Sequence, residues 1–244
     1  MATESESSPQ KPINSIHKFT SMLRERWPEY VLEIIVIIFS ITISFAVDEW
    51  KDGQRKQELA QVYLKGLYND IQTDTSQLKE IITETQQVIQ QTKNLSELDP
   101  KTSRTDYKQF ISQVRFVFKR PRFIAEDATF SDLKSTGNMQ VISSFPLKNA
   151  LFDYYKQYEA IAQVETTEAE TTNAIVGPYL LRRFPLVYKA DNTAKANWEA
   201  IINETEFQNT LLIRRSTREE LLHDYQQSLA SGKQILSLVK PQLK

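Results

Sequence analysis

The chain has 244 residues, with 30 Lys and Arg against 31 Asp and Glu, so its formal net charge is −1. This balance argues against a nucleic-acid-binding protein, because such proteins neutralise phosphates with excess positive charge. Cysteine is absent, which excludes a disulfide scaffold and a thiolate metal site. The 5 glycines allow few tight turns and favour long helices over a many-stranded sheet.

The chain begins with two polar or amphipathic segments. Residues 1–12 are rich in Ser, Glu, Pro and Gln, which predicts a disordered tail, because such a segment buries too little apolar surface to fold. In residues 13–27 apolar side chains recur at spacings of three and four among basic ones. This pattern predicts an amphipathic helix on a membrane surface, and the alternative is a helix packed on the protein's own domain.

The next segment, residues 31–47, is the only long apolar run in the sequence. A helix over residues 28–50, with Pro28 in its first turn, would be about 35 Å long at ~1.5 Å per residue, enough to cross a bilayer. Tyr30 and Trp50 flank it as interfacial aromatic residues, and no small-residue cleavage site follows. We therefore predict a transmembrane helix.

Three residues of this span are candidates for helix packing. Glu33 lies at one edge of it, where an ionisable group seeks a headgroup or a partner. Ser40 and Ser44 lie four apart on one face, a spacing that permits close approach of a second helix. In the alternative interpretation the two hydroxyls bond their own backbone.

Membrane orientation is weakly encoded, because Lys and Arg are balanced on the two sides of the span. A short N-terminal tail before a large C-terminal domain favours a signal anchor. We therefore expect a single-pass protein of the bacterial inner membrane with a periplasmic C-terminal domain.

Beyond the span, apolar residues at alternating steps of three and four predict one long helix towards Leu95, ended by Asp99 and Pro100. Asp74, Thr85 and Thr92 interrupt the pattern. A strict coiled-coil seam would not carry these residues, so they favour a bundle helix over a parallel dimeric coiled coil.

Further helices are predicted over residues 107–118, after Thr129 as a cap, from Phe145 onward, and at the C-terminus. Gly137 is predicted to be left-handed. The last helix is predicted from a stripe that includes Phe207, Leu211, Leu212, Leu221, Leu222, Tyr225, Leu229, Leu236 and Val239. The expected fold class is all-α: a transmembrane helix continues into a long helix that packs in an antiparallel bundle over residues 51–244.

Two groups of side chains suggest binding. Lys119, Arg120 and Arg122 flank a proline and are candidate contacts for an anion or a partner's carboxylates, although such runs also occur as solvated loops. Tyr154, Tyr155 and Tyr158 either line a ligand pocket or pack a core.

One stretch resembles a known family. The resemblance is carried above all by the TFSDLKSTGN stretch at residues 129–138. It also includes the span ending at Trp50, the helix with Tyr63, Leu64 and Leu67, and Leu151, Tyr154 and Tyr155 downstream. They are similar to a domain-of-unknown-function family of small bacterial single-pass membrane proteins. The resemblance implies an N-terminal anchor and a helical extramembrane domain, and it transfers no catalytic residue.

The sequence carries no catalytic pattern that we recognise. His17 and His223 lie on opposite sides of the span, and the Glu168/Glu170 and Glu219/Glu220 pairs are expected on solvated faces. We therefore expect a non-enzymatic protein that binds no cofactor, metal or nucleic acid. The favoured hypothesis is an interaction or structural protein that meets the lipid bilayer and docks a protein partner or a second copy, and the alternative is a ligand-binding sensory module acting through a partner.

Overall fold

A computed structural model describes residues 27–103, 105–184 and 198–244. The predicted tail over residues 1–12 lies outside these ranges, as does all but the last residue of the predicted interfacial helix over residues 13–27.

The described residues form helices and connecting segments, with no strand among them, which confirms the all-α prediction. We number the α-helices α1 Trp27–Ser96, α2 Tyr107–Val117, α3 Ala128–Ser135, α4 Phe145–Thr171, α5 Gly177–Arg183, α6 Trp198–Ile201 and α7 Thr205–Val239. Short 3-10 turns cover Asn138–Val141 and Lys240–Gln242, and a π-helical turn covers Thr172–Val176.

Helix α1 passes through two compact units, which divide between Gln57 and Glu58. In the first unit it contains a stretch with mean hydropathy 2.4, none of which is buried. This stretch is long and apolar enough to cross a membrane, a criterion that a signal sequence also meets. None of this stretch is covered by the described residues, whereas the core helix of a soluble domain is mostly buried.

In the second unit, one stripe of α1 is buried at alternating steps of three and four residues. The stripe consists of Leu64, Leu67, Ile71, Asp74, Leu78, Ile81, Thr85, Val88, Thr92 and Leu95. The three polar residues that interrupt the apolar pattern thus lie inside the bundle. Their burial agrees with the prediction of a bundle helix.

Helix α7 runs antiparallel to α1. Gln61 Nε2 near the start of the domain donates to the carbonyl of Gln242 at 2.8 Å, and Gln208 Nε2 donates to the carbonyl of Ser96 at 3.4 Å. The start of the domain's part of α1 therefore lies beside the end of α7, and the end of α1 lies beside the start of α7, which confirms the antiparallel bundle.

Helix α4 is the third long helix, and it also runs antiparallel to α7. Its start is as predicted: Ser144 caps it by accepting from the Leu147 N–H at 3.3 Å, and Pro146 lies in the first turn. Further along, Gln157 Nε2 donates to Gln227 Oε1 at 3.2 Å, and the later Glu168 pairs with the earlier Arg218, so the two helices run in opposite directions.

The bundle has two hydrophobic clusters. In the first, residues of α1, α3, α4 and α7 meet, and the ring of Phe130 stacks on that of Tyr155 with centroids 4.2 Å apart. In the second, α2, α5, α6 and the start of α7 meet, and the ring centroids of Phe110 and Trp198 lie 4.8 Å apart. Tyr154 belongs to the first cluster, so the core interpretation of the tyrosine-rich helix holds for this residue and for Tyr155.

Helix α3 begins two residues earlier than predicted. Asp127, not Thr129, occupies the cap position, and the Thr129 N–H donates instead to Asp70 Oδ2 on α1 at 3.2 Å. A carboxylate on another helix thus satisfies a free N–H of the first turn. After α3, Gly137 adopts φ 73, the left-handed conformation that was predicted.

Gly232 marks a close approach of α7 to α1. A Cβ at this position would lie 2.8 Å from Thr75 Cγ2, with Ile71 and Tyr154 close behind. We expect Gly232→Ala to lower the free energy of unfolding by about 1–2 kcal/mol, because overpacking outweighs the gain in helix propensity. Urea unfolding followed by the fluorescence of buried Trp198 measures this change.

Gly53 provides the matched control, because a Cβ there would meet nothing within 4 Å. Gly53→Ala is expected to leave the domain's unfolding midpoint unchanged or to raise it slightly, because only the gain in helix propensity remains. Equal midpoints for the two variants would contradict the tight packing at Gly232.

Candidate functional site

A segment without regular secondary structure, residues 119–127, carries the most unusual polar contacts of the domain. Its side chains alternate between buried and exposed over residues 121–125, as in an extended strand. No strand among the described residues pairs with it, so its buried backbone groups need other partners. Side chains of α1, α4 and α7 supply them.

Helix α1 accepts hydrogen bonds from the backbone of this region through polar side chains on one face. The bonds run from Ile124 N to Gln77 Oε1 at 3.3 Å, from Glu126 N to Asp74 Oδ1 at 2.8 Å, and from Thr129 N to Asp70 Oδ2 at 3.2 Å. The spacing of four and three residues along α1 matches an extended chain lying along one face of the helix.

Helix α7 donates hydrogen bonds to carbonyl groups of the same region through two buried arginines. Arg214 Nε donates to the carbonyl of Val117 at 2.9 Å, and its Nη2 donates to that of Lys119. Arg218 Nη1 donates to the carbonyl of Pro121 at 2.8 Å. The planar guanidinium is suited to this task because it offers five donors in fixed directions.

Helix α4 supplies the counter-charge. Glu168 forms ion pairs with both Arg214 and Arg218, and all three side chains are nearly inaccessible to solvent. Two guanidinium charges therefore face one carboxylate. Burial, and then the neighbouring charge of Arg218, lower the pKa of Arg214 to about 10.

Glu165 lies one turn earlier on α4 and is also buried. Its Oε1 accepts from the hydroxyl of Tyr225 at 2.6 Å and from the N–H of Phe123 at 2.9 Å. Its Oε2 lies 3.3 Å from Arg122 Nε as an ion pair, without the alignment of a hydrogen bond. Burial raises the pKa of Glu165, and the hydrogen bonds and Arg122 oppose that shift.

Asp74 is the buried carboxylate on α1. Besides the Glu126 N–H, it accepts from the hydroxyl of Tyr154 at 2.8 Å. Burial raises the pKa of Asp74 from 3.8 to about 6, and the two hydrogen bonds only partly oppose the shift.

The predicted basic contacts are located as follows. Arg122 is 61% exposed beside Glu165, and Arg120 is exposed. Lys119 Nζ lies 4.7 Å from the centre of the Phe116 ring, a cation–π contact. These contacts assign structural partners to Arg122 and Lys119, and the predicted anion or partner contact remains a prediction.

The predicted packing residues of the span have a simple local arrangement. Ser40 Oγ donates to the carbonyl of Val36 at 2.7 Å, and Ser44 Oγ donates to that of Ser40 at 3.0 Å. Glu33 is exposed. The hydroxyl donors thus bond the helix's own backbone, as the alternative interpretation expects, and packing against a second helix remains a prediction.

The charged residues at the centre of the domain were missed. Glu168 was expected on a solvated face, which is wrong; only Glu170 of that pair is exposed. Leu212, assigned to the apolar stripe of α7, is 55% exposed. The buried arginines could have been identified by their spacing along α7. The buried stripe of this helix keeps its steps of three and four through Phe207, Leu211, Arg214, Arg218, Leu221, Tyr225, Ser228, Gly232, Ile235 and Val239.

No family model, curated protein or solved structure matches this chain. The resemblance carried by residues 129–138 therefore remains a prediction. Within residues 27–103, 105–184 and 198–244, no group of three or more His, Cys, Asp or Glu side chains is arranged to hold a metal ion. His223, in that part of the chain, has its Nε2 2.6 Å from Gln227 Nε2.

Glu168 lines two clefts. The larger, which we call the α4–α7 cleft, has a volume of about 440 Å³ and is lined by Phe118, Val164, Glu168, Ile175, Ile213 and Arg214, among others. The other has a volume of about 370 Å³ and is lined by Arg120, Arg122, Glu165, Glu168 and Arg218, among others. The larger cleft lies within the size range of small-molecule sites.

Proposed function

We propose that this protein is a single-pass protein of the bacterial inner membrane whose helical domain works by binding, docking an envelope protein or a second copy of the chain. The observation that carries the proposal is the fully exposed apolar part of α1, with mean hydropathy 2.4. An apolar helical surface of this length is stable in lipid and unstable in water.

Binding without catalysis is supported by the use of the buried charges. Arg214, Arg218 and Asp74 each bond the backbone of residues 117–127. These groups hold an internal segment in place. Their strong electrostatic environment therefore has a structural cause, and a catalytic role is not needed to account for it.

The anchor is tested by alkaline carbonate extraction of bacterial membranes. The full chain is expected to stay in the membrane pellet, and the double variant Ile37→Arg, Ile41→Arg to move to the soluble or degraded fraction, because each arginine costs about 3 kcal/mol at the centre of a span. Val62→Arg, at an exposed apolar position of the domain, is the matched control and should behave as wild type. Release of the wild-type chain by carbonate would contradict the anchor.

Docking is tested by pull-down from native membranes through a C-terminal tag, combined with in-membrane cross-linking from the Ser40 face. One protein recovered consistently, or a cross-linked dimer, is the expected result. A monomer without a partner band in both experiments would contradict it. Protease treatment of spheroplasts should digest the C-terminal domain if it is periplasmic.

The α4–α7 cleft favours the alternative function, a ligand-binding sensory module that acts through a partner. The cleft has the volume of a small-molecule site and places charged groups beside apolar ones. This function also places the protein at the membrane, and it differs in what the domain recognises.

A further inference from the structure

The wall of the α4–α7 cleft is mostly apolar. Phe118, Val164 and Val176 contribute to it, together with two isoleucines that are unusually exposed: Ile175 at 63% and Ile213 at 59%. Isolated exposed apolar residues need no explanation, but two of them lining one concave surface mark a place where an apolar group is sheltered from water.

The threonines of the cleft add little polarity. Three of them use their hydroxyl donors within their own helices, from Thr167 to the carbonyl of Gln163 at 3.0 Å, from Thr172 to that of Glu168 at 2.8 Å, and from Thr210 to that of Glu206 at 2.7 Å. With these donors engaged, the wall is poorly suited to a sugar or another ligand with many hydroxyl groups.

One rim of the cleft is the π-helical turn Thr172–Val176. It directly precedes Gly177 and Pro178, and Pro178 has no N–H to continue the regular hydrogen-bond ladder. The wider turn is the position from which Ile175 and Val176 line the cleft. Turns of this type are frequent at functional sites in helices.

The charged end of the cleft is formed by Arg214 beside Glu168. Three of the guanidinium's five N–H donors are engaged, by Val117, Lys119 and Glu168. Glu168 is shared with Arg218, and Glu165, the other buried carboxylate nearby, pairs with Arg122 and also interacts with Arg218, so Arg214 has no carboxylate of its own among the described residues. Glu220, which also lines the cleft, is exposed, and water and salt screen its charge.

We propose that the α4–α7 cleft binds a small molecule with an apolar body and a carboxylate, the body lying against Ile175 and Ile213 and the carboxylate bonding Arg214. The carboxylate would use the remaining guanidinium donors and give Arg214 an anionic partner that it does not share with Arg218. The cleft's volume, about 440 Å³, accommodates a body of this kind. The proposal rests on the ligand-binding alternative and is independent of the anchor.

The test compares octanoate, octanol and octylamine as probes of the full chain in lipid nanodiscs, followed by isoleucine methyl NMR. Octanoate is expected to shift the methyl signals of Ile175 and Ile213 and to leave that of Ile124, an exposed isoleucine outside the cleft, unchanged. Its apparent affinity should exceed that of octanol at least about tenfold, because only the acid pairs with a buried guanidinium. Octylamine should bind more weakly than either.

Thr217→Trp places a large side chain in the cleft and is expected to reduce octanoate binding at least about tenfold. Val62→Trp, at an exposed apolar position outside the cleft, should bind octanoate as wild type does. Equal affinity for the acid and the alcohol, unchanged binding by Thr217→Trp, or no methyl shift with any of the three probes overturns the proposal.

The same variants separate this proposal from the proposed function. Carbonate extraction and pull-down of Thr217→Trp report on anchoring and docking. If that variant loses a protein partner while octanoate shifts no methyl signal in wild type, the cleft is a protein-docking surface, and the ligand proposal is overturned while the proposed function stands. Loss of octanoate binding with the partner retained supports the ligand site.

Discussion

Replacing Glu168 with alanine is expected to lower the free energy of unfolding by about 3–5 kcal/mol, the largest single effect that the domain's polar contacts imply. Glu168 is the only carboxylate paired with both Arg214 and Arg218 in the part of the chain that the structure describes. Without it, two guanidinium groups remain buried together with unbalanced charge. Their bonds to the carbonyls of Val117 and Pro121 prevent them from turning to solvent while the fold persists.

The measurement is urea unfolding of the full chain in detergent, followed by the fluorescence of Trp198. Glu170→Ala is the matched control, because Glu170 is exposed two residues further along α4. Its effect should stay within about 0.5 kcal/mol. If the two variants lose the same stability, the interior charges are not paired as described.

The second large effect is a pH dependence of stability that depends on Asp74. Because burial raises the pKa of Asp74 from 3.8 to about 6, the folded chain holds a proton between these values that the unfolded chain has released. The group's contribution is therefore fully present below about pH 4 and is lost as the pH rises through about 6. The loss amounts to about 2–3 kcal/mol for a shift of this size.

Asp74→Asn removes the titration and keeps an oxygen that accepts a hydrogen bond. The free energy of unfolding of wild type minus that of the variant, measured from about pH 4 to about pH 7, is expected to fall as the pH rises. Other carboxyl groups, including Glu165, cancel in this difference. Asp153→Asn, at an exposed position of α4, should give a flat difference. If the difference in free energy of unfolding is also independent of pH for Asp74→Asn, the raised pKa of the buried Asp74 is contradicted.

The sequence predicts the long helices because their apolar residues repeat with the period of a helix. In α1 the pattern even places Asp74, Thr85 and Thr92 on the correct face, since the apolar residues around them fix the register. The same register passes through Arg214 and Arg218 in α7. There, counting apolar residues alone leaves a gap between Leu211 and Leu221, and the two charged residues that fill it are not identified as buried.

What the sequence does not show is the partner that makes burial of these charges favourable. The carbonyl of Val117 lies 97 residues before Arg214 in the chain, and no local pattern relates the two. The start of α3 illustrates the same limit: the acceptor for its Thr129 N–H is Asp70, on another helix. Local capping rules allow both Asp127 and Thr129 as the cap, and only the assembled bundle identifies the acceptor of the Thr129 N–H.

The extended segment over residues 119–127 also has a consequence for the order of folding. The donors for the carbonyls of Lys119 and Pro121 lie 95 and 97 residues further along the chain, in a helix that is synthesised after α1 and α4. During synthesis the segment has no permanent partner for these groups until α7 leaves the ribosome. Contacts this distant in sequence form slowly, because a long loop has to close first. We therefore expect residues 119–127 to reach their native position in the final step of folding, after α1 and α4 have formed.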